Sequence, residues 1–229
     1  MLSLQTLCAK SINYINTIDQ LKSLNTYDLI KGLIYDENCF PINSDDEINY
    51  FIKNEIIITN ILLGDYFDNV SLIQKLSSLK KIVFGQNFNM QIKPLECLFN
   101  LKILCLGNGF NQSIEPIKNL KQLNEISFGY SFNQPIDALS NCIQLSKVTF
   151  GFSFNQPIDA LSNCIQLSKV TFGFSFNQPI DALSNCIQLS KISFGNSFNQ
   201  PIDALSNCIQ LSKISFRNSF SQLVNELFN

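Results

Sequence analysis

Phe132-Asn133-Gln134-Pro135-Ile136-Asp137-Ala138-Leu139-Ser140-Asn141-Cys142, continuing as Ile143-Gln144-Leu145-Ser146-Lys147-Val148-Thr149-Phe150-Gly151-Phe152-Ser153, is followed at residues 154–175 by the same 22 letters. Copies at 176–197 and 198–219 differ only within their last six positions. The opening Phe recurs at Phe67, Phe88, Phe110, Phe132, Phe154, Phe176, Phe198 and Phe220, in one step of 21 residues and six of 22. A fixed period of this length predicts a repeat solenoid, in which each unit buries its apolar face only by stacking on its neighbours.

Within one unit, Leu145, Val148 and Phe150 run L-x-x-V-x-F into Gly151. Short alternation, a β-branched residue and a glycine break predict a brief strand. Val148 and Phe150 point to one side of it, and Lys147 and Thr149 to the other. Pro157 lacks a ladder donor, so the turn Phe154-Asn155-Gln156-Pro157 lies outside the sheet. Ile158, Leu161 and Cys164 recur every three residues, which suits a short 3₁₀ turn on the return path.

Stacked copies turn each position into a column. The inner strand columns run from Ile61 to Ile214 and from Leu63 to Phe216, giving eight parallel strands and a sheet roughly 35–40 Å long at the usual inter-strand spacing. Rings of the Phe154 column should stack, and the Asn155 column beside it should bracket the turns through its amides. Residues 220–228 place Phe220, Leu223, Val224 and Leu227 at helical spacing and are expected to cap the C-terminal end.

Residues 61–221 resemble the FNIP repeat family through the signature Phe132-Asn133-Gln134-Pro135-Ile136 and its copies, although Pro is missing from this place after Phe67, Phe88 and Phe110. The resemblance implies a branch of leucine-rich repeats, a protein-binding scaffold with no reaction of its own, and a source among social amoebae or giant DNA viruses. Such proteins often carry an N-terminal F-box, which implies a substrate receptor of a ubiquitin ligase. The expected division is an α-helical N-terminal segment over residues 1–57, a leucine-rich-repeat-like solenoid over 58–219 and a cap over 220–229.

Two adaptor patterns overlap at the N-terminus. Ser3-Leu4, Cys8 and Ile12 resemble the elongin-C-binding box of SOCS-box proteins, with Leu4, Cys8 and Ile12 on one helical face. Leu24, Asp28-Leu29-Ile30 and Leu33-Ile34 resemble the start of an F-box, which implies a Skp1-like partner. The simpler alternative makes Leu4, Leu7, Ile12, Ile15, Ile18 and Leu21 the core of a helical cap.

Composition narrows the function classes. A net charge of −2 makes no electrostatic case for nucleic acid or an anionic membrane. No apolar run approaches the roughly 20 residues of a transmembrane helix. The first residues lack a signal-peptide pattern, so an intracellular, cytoplasmic location is expected, in the host cytoplasm if the chain is viral. With no histidine in the chain, Ser-His and Cys-His catalytic pairs are excluded. No cofactor or metal is expected. The column Cys142, Cys164, Cys186 and Cys208 replaces Leu76, Leu98 and Leu120, as small buried hydrophobes would. The column Asp137, Asp159, Asp181 and Asp203 reads as a solvated surface feature.

The candidate interface is therefore the outward strand face. Lys147, Lys169, Lys191 and Lys213 form a basic column there, with Lys81 in register. At the strand spacing, adjacent like charges repel by about 0.9 kcal/mol in water, so the side chains should splay into solvent. Thr149 and Thr171 run beside them, and Tyr130, Phe152 and Phe174 follow at the next outward position. If these rings face solvent they are interface candidates; the alternative is that they fold over the glycine turn. A repeat-expansion protein with no dedicated partner is the competing functional reading.

Overall fold

The computed structural model describes residues 39–217 and Ser221. Nine parallel strands form one sheet in chain order: β1 (Phe40–Ile42), β2 (Asn60–Leu63), β3 (Lys81–Val83), β4 (Ile103–Cys105), β5 (Glu125–Ser127), β6 (Lys147–Thr149), β7 (Lys169–Thr171), β8 (Lys191–Ser193) and β9 (Lys213–Ser215). Each pairs only with its sequence neighbours, so the chain climbs one rung per unit. Val148 lies opposite Val170 and Lys147 opposite Lys169, the register that the repeat demands. Short 3₁₀ helices return the chain: η1 (Val70–Lys75), η2 (Lys93–Cys97), η3 (Glu115–Asn119), η4 (Asp137–Asn141), η5 (Asp159–Asn163), η6 (Asp181–Asn185) and η7 (Asp203–Asn207).

The sheet has one strand more than the eight expected, and the extra strand is β1, inside the segment 1–57 read as helical. Phe40 and Ile42 face inward and pair with Ile61 and Leu63 at a step of 21 residues. Pro41 is tolerated because β1 lies at the edge of the described sheet, where a missing ladder donor matters least. The return path of this rung is an α-helix, α1 (Asp45–Lys53), instead of a 3₁₀ turn. Its capping box pairs Ser44 with Glu47, three acidic residues occupy its first turn, and Ile48 and Phe51 are buried. The expected cap at 220–228 and the adaptor patterns at Leu4, Cys8 and Ile12 and at Leu24–Ile34 lie outside the described residues.

The core is a set of continuous columns. Phe88, Phe110, Phe132, Phe154, Phe176 and Phe198 stack with centroids 6.0–6.1 Å apart. A second column, Phe128, Phe150, Phe172, Phe194 and Phe216, steps at 5.3–5.5 Å. The two interlock: Phe150 lies 4.0 Å from Phe154 and Phe172 lies 3.9 Å from Phe176. Offset packing of this kind adds about 0.5–1.5 kcal/mol per pair beyond area burial. On the return side Ile158, Leu161 and Cys164 are fully or almost fully buried, as their threefold spacing predicts.

Polar groups of the turns are satisfied between rungs. Oδ1 of Asn133 accepts from the backbone N–H of Asn155 at 2.9 Å and from Nε2 of Gln156 at 3.2 Å. Oδ1 of Asn155 accepts in the same way from Asn177 and Gln178. The ladder starts at Asn89 and ends at Asn199, whose Oδ1 accepts from Ser221. The glycine that follows each strand from β4 to β8 is tightly constrained: a Cβ built on Gly151 would lie 1.8 Å from the carbonyl oxygen of Gly129. Backbone of successive rungs meets there with no room for a side chain.

Two substitutions probe these contacts by denaturant unfolding. Asn155→Ala should cost about 1–3 kcal/mol by leaving the Asn177 N–H without its acceptor. Gly173→Ala should cost about 1–3 kcal/mol or more by overpacking the turn.

Candidate functional site

Each unit leaves its strand through a glycine and places the next residue at the corner of the rung. The N–H of Ser153 donates to the Tyr130 carbonyl at 2.9 Å, and that of Ser175 to the Phe152 carbonyl at 2.9 Å. This backbone ladder holds three side chains in line. Tyr130 and Phe152 stack at 4.6 Å with planes 10° apart, and Phe152 and Phe174 at 4.7 Å with planes 9° apart. They remain 53%, 37% and 42% exposed. The rings therefore cover both faces of Phe152 and the inner faces of Tyr130 and Phe174. Asn108 and Asn196 occupy the same position on the flanking rungs.

Beside this comb, Lys169, Lys191 and Lys213 are exposed and Lys147 is half-buried, while Thr149 and Thr171 are half-buried between the two columns. Lys147 pairs with Glu125 at 3.0 Å, the acidic residue one rung earlier in the same column. Lys169, Lys191 and Lys213 form no ion pair with a described residue. The nine candidates Tyr130, Phe152, Phe174, Lys147, Lys169, Lys191, Lys213, Thr149 and Thr171 thus lie together on adjoining columns of rungs five to nine.

Two surface features escape sequence reasoning. The position that carries Thr in late rungs is apolar in early ones: Leu62 is 41% exposed, and Val83 and Cys105 are half-buried. This column changes from apolar at β2 to β4 to hydroxyl-bearing from β5 on, while the lysine column beside it is mixed in early rungs (Asn60, Lys81, Ile103, Glu125) and wholly cationic from β6 to β9. Secondly, Ile143, Ile165, Ile187 and Ile209 form an exposed apolar column, 50–81% accessible. The pattern Ile143-Gln144-Leu145 resembles alternation with both Ile and Leu inside. A tight turn after η4 instead keeps the threefold spacing of Cys142 and Leu145 on the inside and pushes Ile143 out.

Cys142, Cys164, Cys186 and Cys208 are buried in a row. The Cys164 thiol reaches the carbonyls of Leu139 at 3.7 Å and Cys142 at 3.8 Å, which belong to the preceding rung. Burial pushes the Cys142 thiol up to about 11 and those of Cys164 and Cys186 up to about 12. Such thiols are poor nucleophiles at neutral pH. Among the described residues no group of three His, Cys, Asp or Glu side chains is placed to hold a metal. A shallow groove of about 380 Å³ between η2 and η3 is lined by Lys93, Glu96, Glu115 and Lys118, the last two paired with each other. No helix among the described residues is long and apolar enough to cross a membrane.

No protein-family model and no curated protein sequence matches the chain. Solved structures do. A leucine-rich-repeat protein of Leptospira interrogans is 17% identical over 85% of this chain and 51% of that one, with a TM-score of 0.66. An internalin of Listeria monocytogenes is 16% identical over 96% and 72%, with a TM-score of 0.63. A circular leucine-rich-repeat protein is 25% identical over 82% and 34%, with a TM-score of 0.57. These likenesses, with nine parallel strands and 3₁₀ returns, establish a repeat solenoid of leucine-rich-repeat type.

The thiol row makes a pH prediction. Its folded-state pKa values lie above the ordinary 9.0, so above about pH 9 the unfolded chain gives up protons that the folded chain keeps. Stability should fall as pH rises from 9 towards 12. Thermal melts should show a shallower alkaline decline when Cys142, Cys164, Cys186 and Cys208 are all replaced by Ala.

Proposed function

We propose, starting from a solenoid of leucine-rich-repeat type, that this chain is a non-catalytic protein-binding scaffold whose partner docks on the outward strand face and the ring comb beside it. The observation that carries this reading is the stack of Tyr130, Phe152 and Phe174, aligned by backbone hydrogen bonds yet left 37–53% exposed next to a lysine column. Solvent-facing aromatic rings at fixed positions are the side chains most often dominant in protein interfaces. The lack of histidine and the inert thiol row support a non-catalytic role. The Phe-Asn-Gln-Pro-Ile signature supports a repeat of FNIP type, with the social-amoeba or giant-virus source that the type implies. The seven cysteines among the described residues, four of them buried in one row and none in a disulfide there, support a reducing, intracellular location.

A photo-crosslinking residue at position 174 should trap partner protein, and one at Asp181, on the return side, should not. Equal or reversed trapping would refute docking on the strand face and favour a repeat-expansion product with no dedicated partner.

A second reading adds a ligase adaptor, favoured by Leu4, Cys8 and Ile12 for elongin C or by Leu24 and Asp28–Ile34 for a Skp1-like protein. The full chain should then retain one of the two purified proteins in a pull-down, and Leu4→Glu with Cys8→Glu should abolish retention of elongin C. Retention of neither sinks the adaptor reading.

A further inference from the structure

The strand face changes along the solenoid axis. One of its columns presents Leu62, Val83 and Cys105 in early rungs and hydroxyls from Ser127 on; the column beside it is mixed at Asn60, Lys81, Ile103 and Glu125 and then runs unbroken through Lys147, Lys169, Lys191 and Lys213. Like charges in the lysine column repel by about 0.9 kcal/mol per adjacent pair in water. Glu125 offsets that repulsion only at Lys147. An anionic ligand would remove it along the remainder of the column.

The neighbouring rings select the kind of anion. An aromatic ring is negative on its face and positive at its edge. In the comb the faces of Phe152 are covered on both sides, at 4.6 and 4.7 Å, so its solvent-facing part is the positive edge. Nucleic-acid bases bind protein aromatics through ring faces, and of these rings only the two at the ends of the comb, Tyr130 and Phe174, have a face that no other ring covers, so successive bases find no run of platforms. Carboxylates suit all three columns: lysine ammonium groups, Thr and Ser hydroxyls that donate hydrogen bonds, and ring edges.

We infer that the strand face reads an acidic, extended segment of a partner protein, its carboxylates over the lysine column of β6 to β9 and its apolar end against Leu62, Val83 and Cys105 on β2 to β4. The inference rests on the scaffold reading above and names the partner's chemistry. From β2 to β9 are seven strand steps of about 4.8 Å, roughly 34 Å, which about ten extended residues span.

The test uses the full chain and fluorescence anisotropy with three probes: a labelled peptide of two leucines followed by eight glutamates, the same peptide with glutamine for glutamate, and a ten-nucleotide single-stranded oligothymidine. The glutamate peptide should bind about tenfold or more tightly than the other two, with affinity that falls as salt rises. Lys169→Glu with Lys191→Glu should weaken it about tenfold or more. Unchanged melting of that variant shows that the fold is retained, and Phe152→Ser with Phe174→Ser provides an uncharged variant that should also lose affinity. Equal binding of the glutamine peptide, tighter binding of oligothymidine, or no effect of the lysine reversals overturns the inference. Crosslinking at position 174 without preference for the glutamate peptide defeats this inference alone; loss of both defeats the scaffold reading as well.

Discussion

Rung-to-rung hydrogen bonding is the constraint on which the rest of the structure depends. A unit of 22 residues has no interior of its own: its strand, its turn and its return path each complete their bonding on the rung before or after. The sheet does this through the backbone, as where the Phe150 N–H donates to the Thr171 carbonyl at 2.8 Å. The turns do it through Asn155 and its equivalents, each amide oxygen serving a backbone N–H one rung on. The glycine column removes every atom that would hold successive turns apart. With the backbone locked at a common pitch, like side chains have no choice but to stack, and rings, thiols and lysines all become columns.

The same constraint explains what was legible in the sequence. Any feature repeated at the period maps directly onto a column, so the strand face, the Phe154 stack, the 3₁₀ returns and the buried cysteines follow from the letters. The first rung was hidden because its return is the helix α1, which breaks the repeat, and because Pro41 argues against a strand until the edge position is known. The exposed Ile143 column was hidden for a more local reason. In a turn of this tightness a spacing of three and a spacing of two compete, and only the burial of both Cys142 and Leu145 decides which residue is left outside.

Of the candidate interface, the membership of the columns was legible and their surroundings were not. Periodicity places Lys147 and Phe152 outward but cannot say whether a ring beside a glycine lies flat over the turn. Stacking on its neighbours holds Phe152 upright. Nor does the period reveal the change from Leu62 to Ser215 along one column, because that change lives in the differences between copies. Early rungs have diverged and late rungs have not, so the surface carries its information at one end and its multiplicity at the other.

The nearly uniform interfaces between late rungs also have a mechanical consequence. Strand order follows chain order, so tension applied at residues 39 and 217 acts on opposite edges of the sheet and loads the contacts in series. Rungs held by the same amide, ring and backbone contacts would yield at nearly the same force, each releasing about 70 Å of extended chain. Stretched from its ends, the molecule is a spring of matched links that lengthens in equal steps and dissipates work at a steady tension.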